Sequence, residues 1–299
     1  MKTLLVTGGS GQLGTAMQCV AGQSNAFQVV ALNRRELDVT NEGSIHACFQ
    51  KVRPDGVLNA AAFTAVDLAE SQMAQATQVN ATAAGLVASQ CAAFDIPLVH
   101  ISTDYVFDGR LGRPLTELDQ TNPVCFYGYT KLLGEQFIRE QNPRHVILRT
   151  SGIFSVTGHN FVKTMLELAK KRPYIDVVSD QYLNPTGAMS LARVIACIFG
   201  QVWSGSDVCL GTHHYAQSPA CSWFEFAQTI FTIASRLDAG YSKVVVEPLS
   251  ARHYPTLADR PADSRLDSSQ LIPYLTDPRL QHRWLPELTE VIADVLSQA

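Results

Sequence analysis

The 299-residue sequence has no block of lysine and arginine long enough to neutralise a run of phosphates, and its formal net charge is −4. A nucleic-acid partner is therefore not expected. No stretch approaches the roughly 18 uninterrupted apolar residues of a membrane span. The apolar run in residues 1–6 is too short for a signal peptide, and glycines follow at once. A soluble, cytoplasmic protein with no membrane partner is expected. Cysteine is present but unpatterned. The seven residues (Cys19, Cys48, Cys91, Cys125, Cys197, Cys209 and Cys221) are odd in number and scattered, with no C-x-x-C pair and no histidine at zinc-finger spacing. They read as reduced, mostly buried apolar residues, and no metal site is expected. Internal repeats and low-complexity segments are also missing, and a chain of this length can bury a core without disulfides.

What the sequence does contain is an alternation of short β-branched runs with longer amphipathic patterns, the mark of βαβ units around a parallel sheet. Strands are expected over 3–6, 28–32, 56–59, 98–102 and 145–149. Helices are expected over 13–21, 42–52, 73–94 and 127–141. Residues 1–150 thus read as a doubly wound, Rossmann-type α/β domain. Residues 151–299 read as a smaller, mainly substrate-binding domain. Within it a turn-rich stretch covers 180–186, a helix 188–202, a strand 213–217 and a helix 223–236. A short strand follows from Val244, and a last helix opens after Pro286. The helix at 188–202 and the strand at 213–217 are expected to return to the sheet, so elements near 188–217 belong with the first domain.

Directly after the first strand, Gly8-Gly9-Ser10-Gly11-Gln12-Leu13-Gly14 places glycines at the first, fourth and seventh positions of a strand-to-helix turn. Such a turn admits close backbone approach by a pyrophosphate at a helix N-terminus, and its last glycine lets helix and strand pack closely. The plainer reading is a tight turn. The second strand ends in Leu32-Asn33-Arg34-Arg35, where an acid would hold the ribose hydroxyls of NAD. A guanidinium there can instead hold a 2′-phosphate, which favours NADP(H), with NADH open because Glu36 or Asp38 could reach the ribose. Asn59-Ala60-Ala61-Ala62 ends another strand at the same edge of the sheet. Its small side chains suit either a cofactor sugar lying on backbone or close helix packing.

Tyr127 and Lys131 are four residues apart at the start of an expected helix and share a face; Tyr129 is not on it. A phenol titrates near pH 10, and a neighbouring ammonium would bring it towards working range as a proton donor to a carbonyl oxygen. Thr103, in Ser102-Thr103-Asp104-Tyr105, closes a strand roughly two dozen residues earlier. Its hydroxyl could bind the substrate oxygen or serve as a turn cap.

Glycine turn, Asn-Ala-Ala-Ala, Ser-Thr-Asp-Tyr and Y-x-x-x-K, in this order, resemble the extended short-chain dehydrogenase/reductase superfamily. More narrowly, NAAAFTAVDLAES, HISTDYVFDG, YGYTKLLGE, NFVKTML, SDQYLNPT and RPADSRLDSSQL resemble the dTDP-4-dehydrorhamnose reductase family, from the first strand to the last fifth of the chain. The resemblance implies an NADPH-dependent oxidoreductase that reduces the 4-keto group of a dTDP-6-deoxyhexulose. Thr103, Tyr127 and Lys131 would be catalytic. Gly8, Gly11, Gln12, Leu13, Gly14, Arg34, Asp38, Val39, Asn59, Ala60, Ala61, Ala62, Tyr127 and Lys131 would hold the cofactor. Val66, Thr103, Asp104, Asn160 and Arg260 would face the nucleotide-sugar substrate, with Asn160 and Arg260 equally readable as structural residues. A homodimer is compatible with this reading.

The related nucleotide-sugar 4,6-dehydratases follow their threonine with Asp-Glu, whereas Asp104 here precedes Tyr105, which removes the second carboxyl that dehydration needs. Two departures from the reductase pattern stand out. Gly152 occupies a position where the family usually has tryptophan, and Leu183 one where it usually has glycine. Two alternatives therefore stay open: another nucleotide-sugar 4-ketoreductase, and a non-catalytic dinucleotide-binding subunit similar to the β subunit of methionine adenosyltransferase.

Overall fold

Residues 1–23 and 26–298 are described by a computed structural model. The first strand, β1 (Lys2–Thr7), is buried at every position but its first. Leu4 and Val6 enter one hydrophobic cluster and Leu5 another, as in the interior of a parallel sheet covered on both faces. With β2 (Phe27–Leu32), β3 (Gly56–Asn59), β4 (Leu98–Thr103), β5 (His145–Thr150) and the strand Gly211–His214 it forms a six-stranded sheet. The spatial order is Gly211–His214, β5, β4, β3, β1, β2, with every pairing parallel. Strand order reverses between β1 and β3, and at such a switch point open α/β sheets bind ligands beyond their carboxyl ends.

One face is covered by α1 (Gln12–Gly22) and the helix Ala188–Trp203, through Leu13, Met17, Ile195 and Ile198. The helices Glu42–Val52, Ala83–Ala93 and Phe126–Gln141 cover the other, through Ile45, Phe49, Val87 and Ile138. This is the expected doubly wound arrangement. A further cluster in the second half of the chain gathers Phe154, Leu166, Ile175, Phe226, Leu288 and Ile292. The chain returns to the sheet where Gly211–His214 pairs with β5 and Ala188–Trp203 packs on α1. From the last helix, Trp284–Ser297, the buried Glu287 carboxylate accepts the Met189 and Ser190 N–H groups and the Ser190 hydroxyl. It thereby caps Ala188–Trp203, whose own N-cap, Gly187, has no side chain to do so.

Some elements differ from the sequence expectation. The single helix expected over 73–94 is split into Met73–Thr77, a π-helical turn Gln78–Thr82 and Ala83–Ala93. The wider turn carries Asn80, whose amide accepts from Phe63 N at 2.8 Å and donates to Phe63 O and Thr130 Oγ1, both at 3.1 Å. The short helix Val66–Ser71 and the strand Tyr174–Val178 have no counterpart in the sequence reading. The strand expected over 213–217 spans Gly211–His214, because Ala216 N–H turns to Ser268 Oγ at 2.9 Å. The last helix starts before Pro286 rather than after it. Proline sits there in the first turn, where a missing N–H costs nothing.

Candidate active site

Beyond β1 the chain turns at Gly8, at a φ of +67°. A Cβ on Gly8 would lie 2.9 Å from the Ala60 carbonyl oxygen, and one on Gly14 would lie 2.6 Å from the Gly8 carbonyl oxygen. Gly9 N–H donates to Leu32 O at 2.8 Å. The turn is thus wedged between β2 and the segment after β3, with no room for side chains. Helix α1 then opens at Gln12, with Gly11 as N-cap and no side chain capping it. Gly8, Gly11 and Gly14 line a cleft of about 740 Å³. A bare helix N-terminus bordered by glycine backbone is a cradle for an anionic group.

The cleft begins at the end of β2. Arg34 is exposed there and lines it, together with Asp38 and Val39. The Thr40 hydroxyl and amide donate to Asp38 Oδ1 at 2.7 and 3.0 Å and, with the nearby Arg34 guanidinium, hold the carboxyl below its ordinary range. Glu36 instead folds back onto Asn33 N–H at 2.9 Å. Of the charged residues left open in this turn, Arg34 and Asp38 reach the cleft.

Past Ala60, Ala61, Ala62 and Val66, the cleft arrives at the carboxyl end of β4, where Thr103, Asp104, Tyr127 and Lys131 converge. The Tyr127 and Thr103 side chains line the same stretch of the cleft wall. Burial pushes the phenol above its ordinary pKa, and the neighbouring Thr103 hydroxyl pulls it only partly back. The expectation that Lys131 draws the phenol towards neutrality is not met in this arrangement, because the ammonium is engaged elsewhere. Gly128, one residue on, lies so close to the Tyr105 carbonyl that no side chain fits, and the Tyr105 ring meets Tyr127 edge-on at 5.7 Å. Tyr129 is half exposed.

Lys131 is 2% exposed; its Nζ donates to Ile101 O at 2.6 Å and lies 3.1 Å from His100 Nε2. Burial lowers its pKa to about 8, against the opposing pull of Glu135 one turn further along the helix. The chain of contacts continues inward from His100 Nδ1 to the Asn59 amide at 3.1 Å and on to Thr7 Oγ1 at 2.7 Å. Glu135 is itself buried. It accepts from Ser102 Oγ at 2.6 Å, from Arg149 at 2.9 and 2.7 Å and from Arg139 at 2.7 Å. These partners outweigh burial and leave its pKa lowered.

Asp104 is 4% exposed and ringed by hydroxyls. Thr103 Oγ1 donates to it at 3.0 Å and Ser151 Oγ at 2.8 Å, and the Ser264 hydroxyl also acts to lower its pKa. Burial nevertheless raises its pKa. Thr150, paired in register with Thr103, lines the cleft with a buried hydroxyl that has no hydrogen-bond partner among the described residues.

Three residues named from sequence stand outside the cleft wall. Asn59 is buried beneath it, between Thr7 and His100. Asn160 caps the helix Phe161–Ala169 through Lys163 N, and its amide donates to Gln12 Oε1 at 3.0 Å and to Ser155 O at 2.8 Å. Both amide hydrogens are thereby used. Arg260 pairs with Asp67 at 2.7 Å and borders a second cavity of about 240 Å³ with Phe161 and Tyr254. This cavity meets the main cleft at Gln181 and Trp223. His100, Thr150, Ser151 and Ser264 were not legible as site residues. Their partners lie far away in sequence, and only Ser151 and Thr150 carried a hint, as polar residues closing a strand at the ligand-binding edge.

The family described as RmlD substrate binding domain matches residues 1–297. A dTDP-4-dehydrorhamnose reductase of Aggregatibacter actinomycetemcomitans is 37% identical over 271 residues, covering 91% of this chain and 92% of the relative. Among solved structures, a dTDP-4-dehydrorhamnose reductase from Clostridium acetobutylicum superposes with a TM-score of 0.88 at 36% identity, covering 99% of each chain. The Bacillus anthracis dTDP-4-dehydrorhamnose reductase, solved in complex with NADP, gives 0.85 at 33% identity, covering 100% of each chain.

Proposed function

The chain belongs to the dTDP-4-dehydrorhamnose reductase family, and from that membership we infer that it is an NADPH-dependent oxidoreductase. It reduces the 4-keto group of dTDP-4-dehydro-β-L-rhamnose to give dTDP-L-rhamnose, in the cytoplasm. The residues present fit the cofactor. A glycine cradle that a Cβ would fill lies at the start of α1 for the pyrophosphate, and Arg34 stands exposed at the edge of β2 for the 2′-phosphate. Lys131 would take the ribose hydroxyls. When bound, NADPH supplies the hydride.

The protein's own groups manage the oxygen. Thr103 orients the keto oxygen, and Tyr127 donates its proton as negative charge develops there. A phenol held above its ordinary pKa keeps that proton until the oxygen needs it. In this reading residues 1–150 hold the cofactor, and 151–299 mainly hold the sugar nucleotide.

The observation that carries the reading is the convergence of Thr103, Tyr127 and Lys131 in the same cleft as the glycine cradle. Protein given NADPH and the 4-keto sugar should consume NADPH. Tyr127→Phe should lower kcat by about 10²–10⁴-fold while its Kd for NADPH stays unchanged. Good NADPH binding without turnover by the wild-type protein would overturn the assignment.

A further inference from the structure

Gly152 and Leu183 depart from the family pattern separately in sequence, but they meet in space. Gly152 follows β5 at a φ of +53°, and a Cβ built on it would lie 2.6 Å from Leu183 Cδ1. Residue 152 has no side chain, and residue 183 has a large one. Leu183 therefore fills volume that a residue at 152 would otherwise claim. It is 2% exposed, yet it lines the cleft.

Leu183 cannot easily withdraw. Its backbone pairs with Cys221, and the preceding Tyr182 N–H donates to Ala262 O at 2.9 Å. The following Asn184 donates to Gln217 O at 2.9 Å and accepts from Leu266 N at 3.0 Å. Gly152 is held to the same segment, because its carbonyl accepts Thr186 N–H at 3.1 Å.

The position is close to the chemistry. Gly152 is two residues beyond Thr150, the register partner of Thr103. Around Thr103 the cleft wall divides by polarity. Asp104, Ser151 and Ser264 form a hydroxyl and carboxyl cluster, whereas Leu183 and Ile153 are aliphatic. A 4-keto-6-deoxypyranose divides in the same way about its carbonyl. One neighbouring ring carbon carries a hydroxyl, and the other carries the C6 methyl.

We infer that Leu183, seated in the space left open by Gly152, is the wall that receives the sugar's C6 methyl and selects 6-deoxy over 6-hydroxy 4-ketosugars. The inference rests on the reduction reading above. An added hydroxyl would be buried against leucine without a partner, a discrimination on the order of 100-fold in kcat/KM.

The test compares a dTDP-4-keto-6-deoxyhexose with its 6-hydroxy counterpart. The wild-type protein should prefer the first by about 100-fold. Leu183→Asn keeps the size and offers the C6 hydroxyl a partner; the preference should fall at least tenfold, with NADPH affinity and melting temperature reporting an intact fold. Gly152→Asn, a residue that tolerates the left-handed backbone, should lose at least tenfold in kcat/KM, and adding Leu183→Ala should restore most of it. An unchanged preference in Leu183→Asn, or full activity in Gly152→Asn alone, would overturn the inference while leaving the reductase standing. Wild-type protein that reduced neither sugar would overturn the reduction reading and this inference with it.

Discussion

The Lys131 ammonium lies 3.1 Å from Nε2 of His100, and the two residues are 2% and 1% exposed. Burial, reinforced by the charge of Lys131, drives the imidazole pKa well below its ordinary value, so His100 is neutral. A neutral ring has one donor and one acceptor. If the Asn59 amide donates to Nδ1, the ring proton sits on Nε2 and faces an uncharged lysine. If Lys131 is charged, Nε2 must accept, the proton moves to Nδ1 and the Asn59 amide presents its oxygen. The two states of the lysine thus call for opposite tautomers of His100 and opposite orientations of Asn59.

Replacing His100 by phenylalanine removes one of the two acceptors around the ammonium and leaves Ile101 O alone. Lys131 is charged below its pKa of about 8, so NADPH affinity that depends on the ammonium is full below that pH and lost above it. A lost hydrogen bond to a charged group is worth about 1.5–3 kcal/mol, or roughly one to two pKa units. The fall-off in affinity should therefore shift by about that much towards lower pH. Fluorescence titration of NADPH from neutral to alkaline pH measures it; superimposable profiles for variant and wild type would show that His100 does not tune the lysine.

Glu135→Gln leaves the Arg149 guanidinium buried without its counter-charge. The expected cost is about 3–5 kcal/mol of stability, measured by chemical denaturation at neutral pH. The pH dependence has a definite sign. The folded pKa of Glu135 lies below its ordinary 4.5, so its contribution is full above 4.5 and is lost as pH falls through the lower, folded value. The wild type should lose stability in that acid window more steeply than the glutamine variant.

Arg34→Ala should weaken NADPH binding by roughly 10- to 100-fold, the worth of a charge-assisted pair to phosphate. NADH, which has no 2′-phosphate, should bind as before. Equal losses for the two cofactors, measured by calorimetry, would assign Arg34 a general rather than a phosphate-specific role.

Thr150→Val separates folding from function. The hydroxyl has no partner among the described residues, so an apolar residue of the same shape should leave the melting temperature unchanged or raised. If ligand supplies the missing partner, kcat/KM should fall about tenfold. A variant with full activity would show that this hydroxyl serves no ligand.

The sheet was legible because its strands are short, β-branched and punctuated. The helix Glu42–Val52 has the bounds read from sequence, with Asn41 as its cap. The glycine turn, Arg34, Thr103, Tyr127 and Lys131, which the structure gathers along one cleft, could be picked out in the sequence because each is a residue type in a register that the expected chemistry would demand. The π-helical turn at Asn80 was not, since its cause is a hydrogen bond to Thr130, fifty positions away. His100 escaped notice because a lone histidine on an apolar strand resembles any satisfied core residue. Asn160 shows the opposite case. Asparagine ahead of an amphipathic run is a helix-cap signal, and that local reading is the one its hydrogen bonds follow.

The carboxylate of Glu287, on the final helix, closes the N-terminus of the helix that shares a core with α1, and α1 begins at the glycine cradle. The protein is therefore mechanically a loop rather than two beads on a string. A cut near residue 150 should not release two pieces that fold alone. Shortening the chain before Glu287 should be felt in the segments that wall the cleft, as slackness where the dinucleotide would lie.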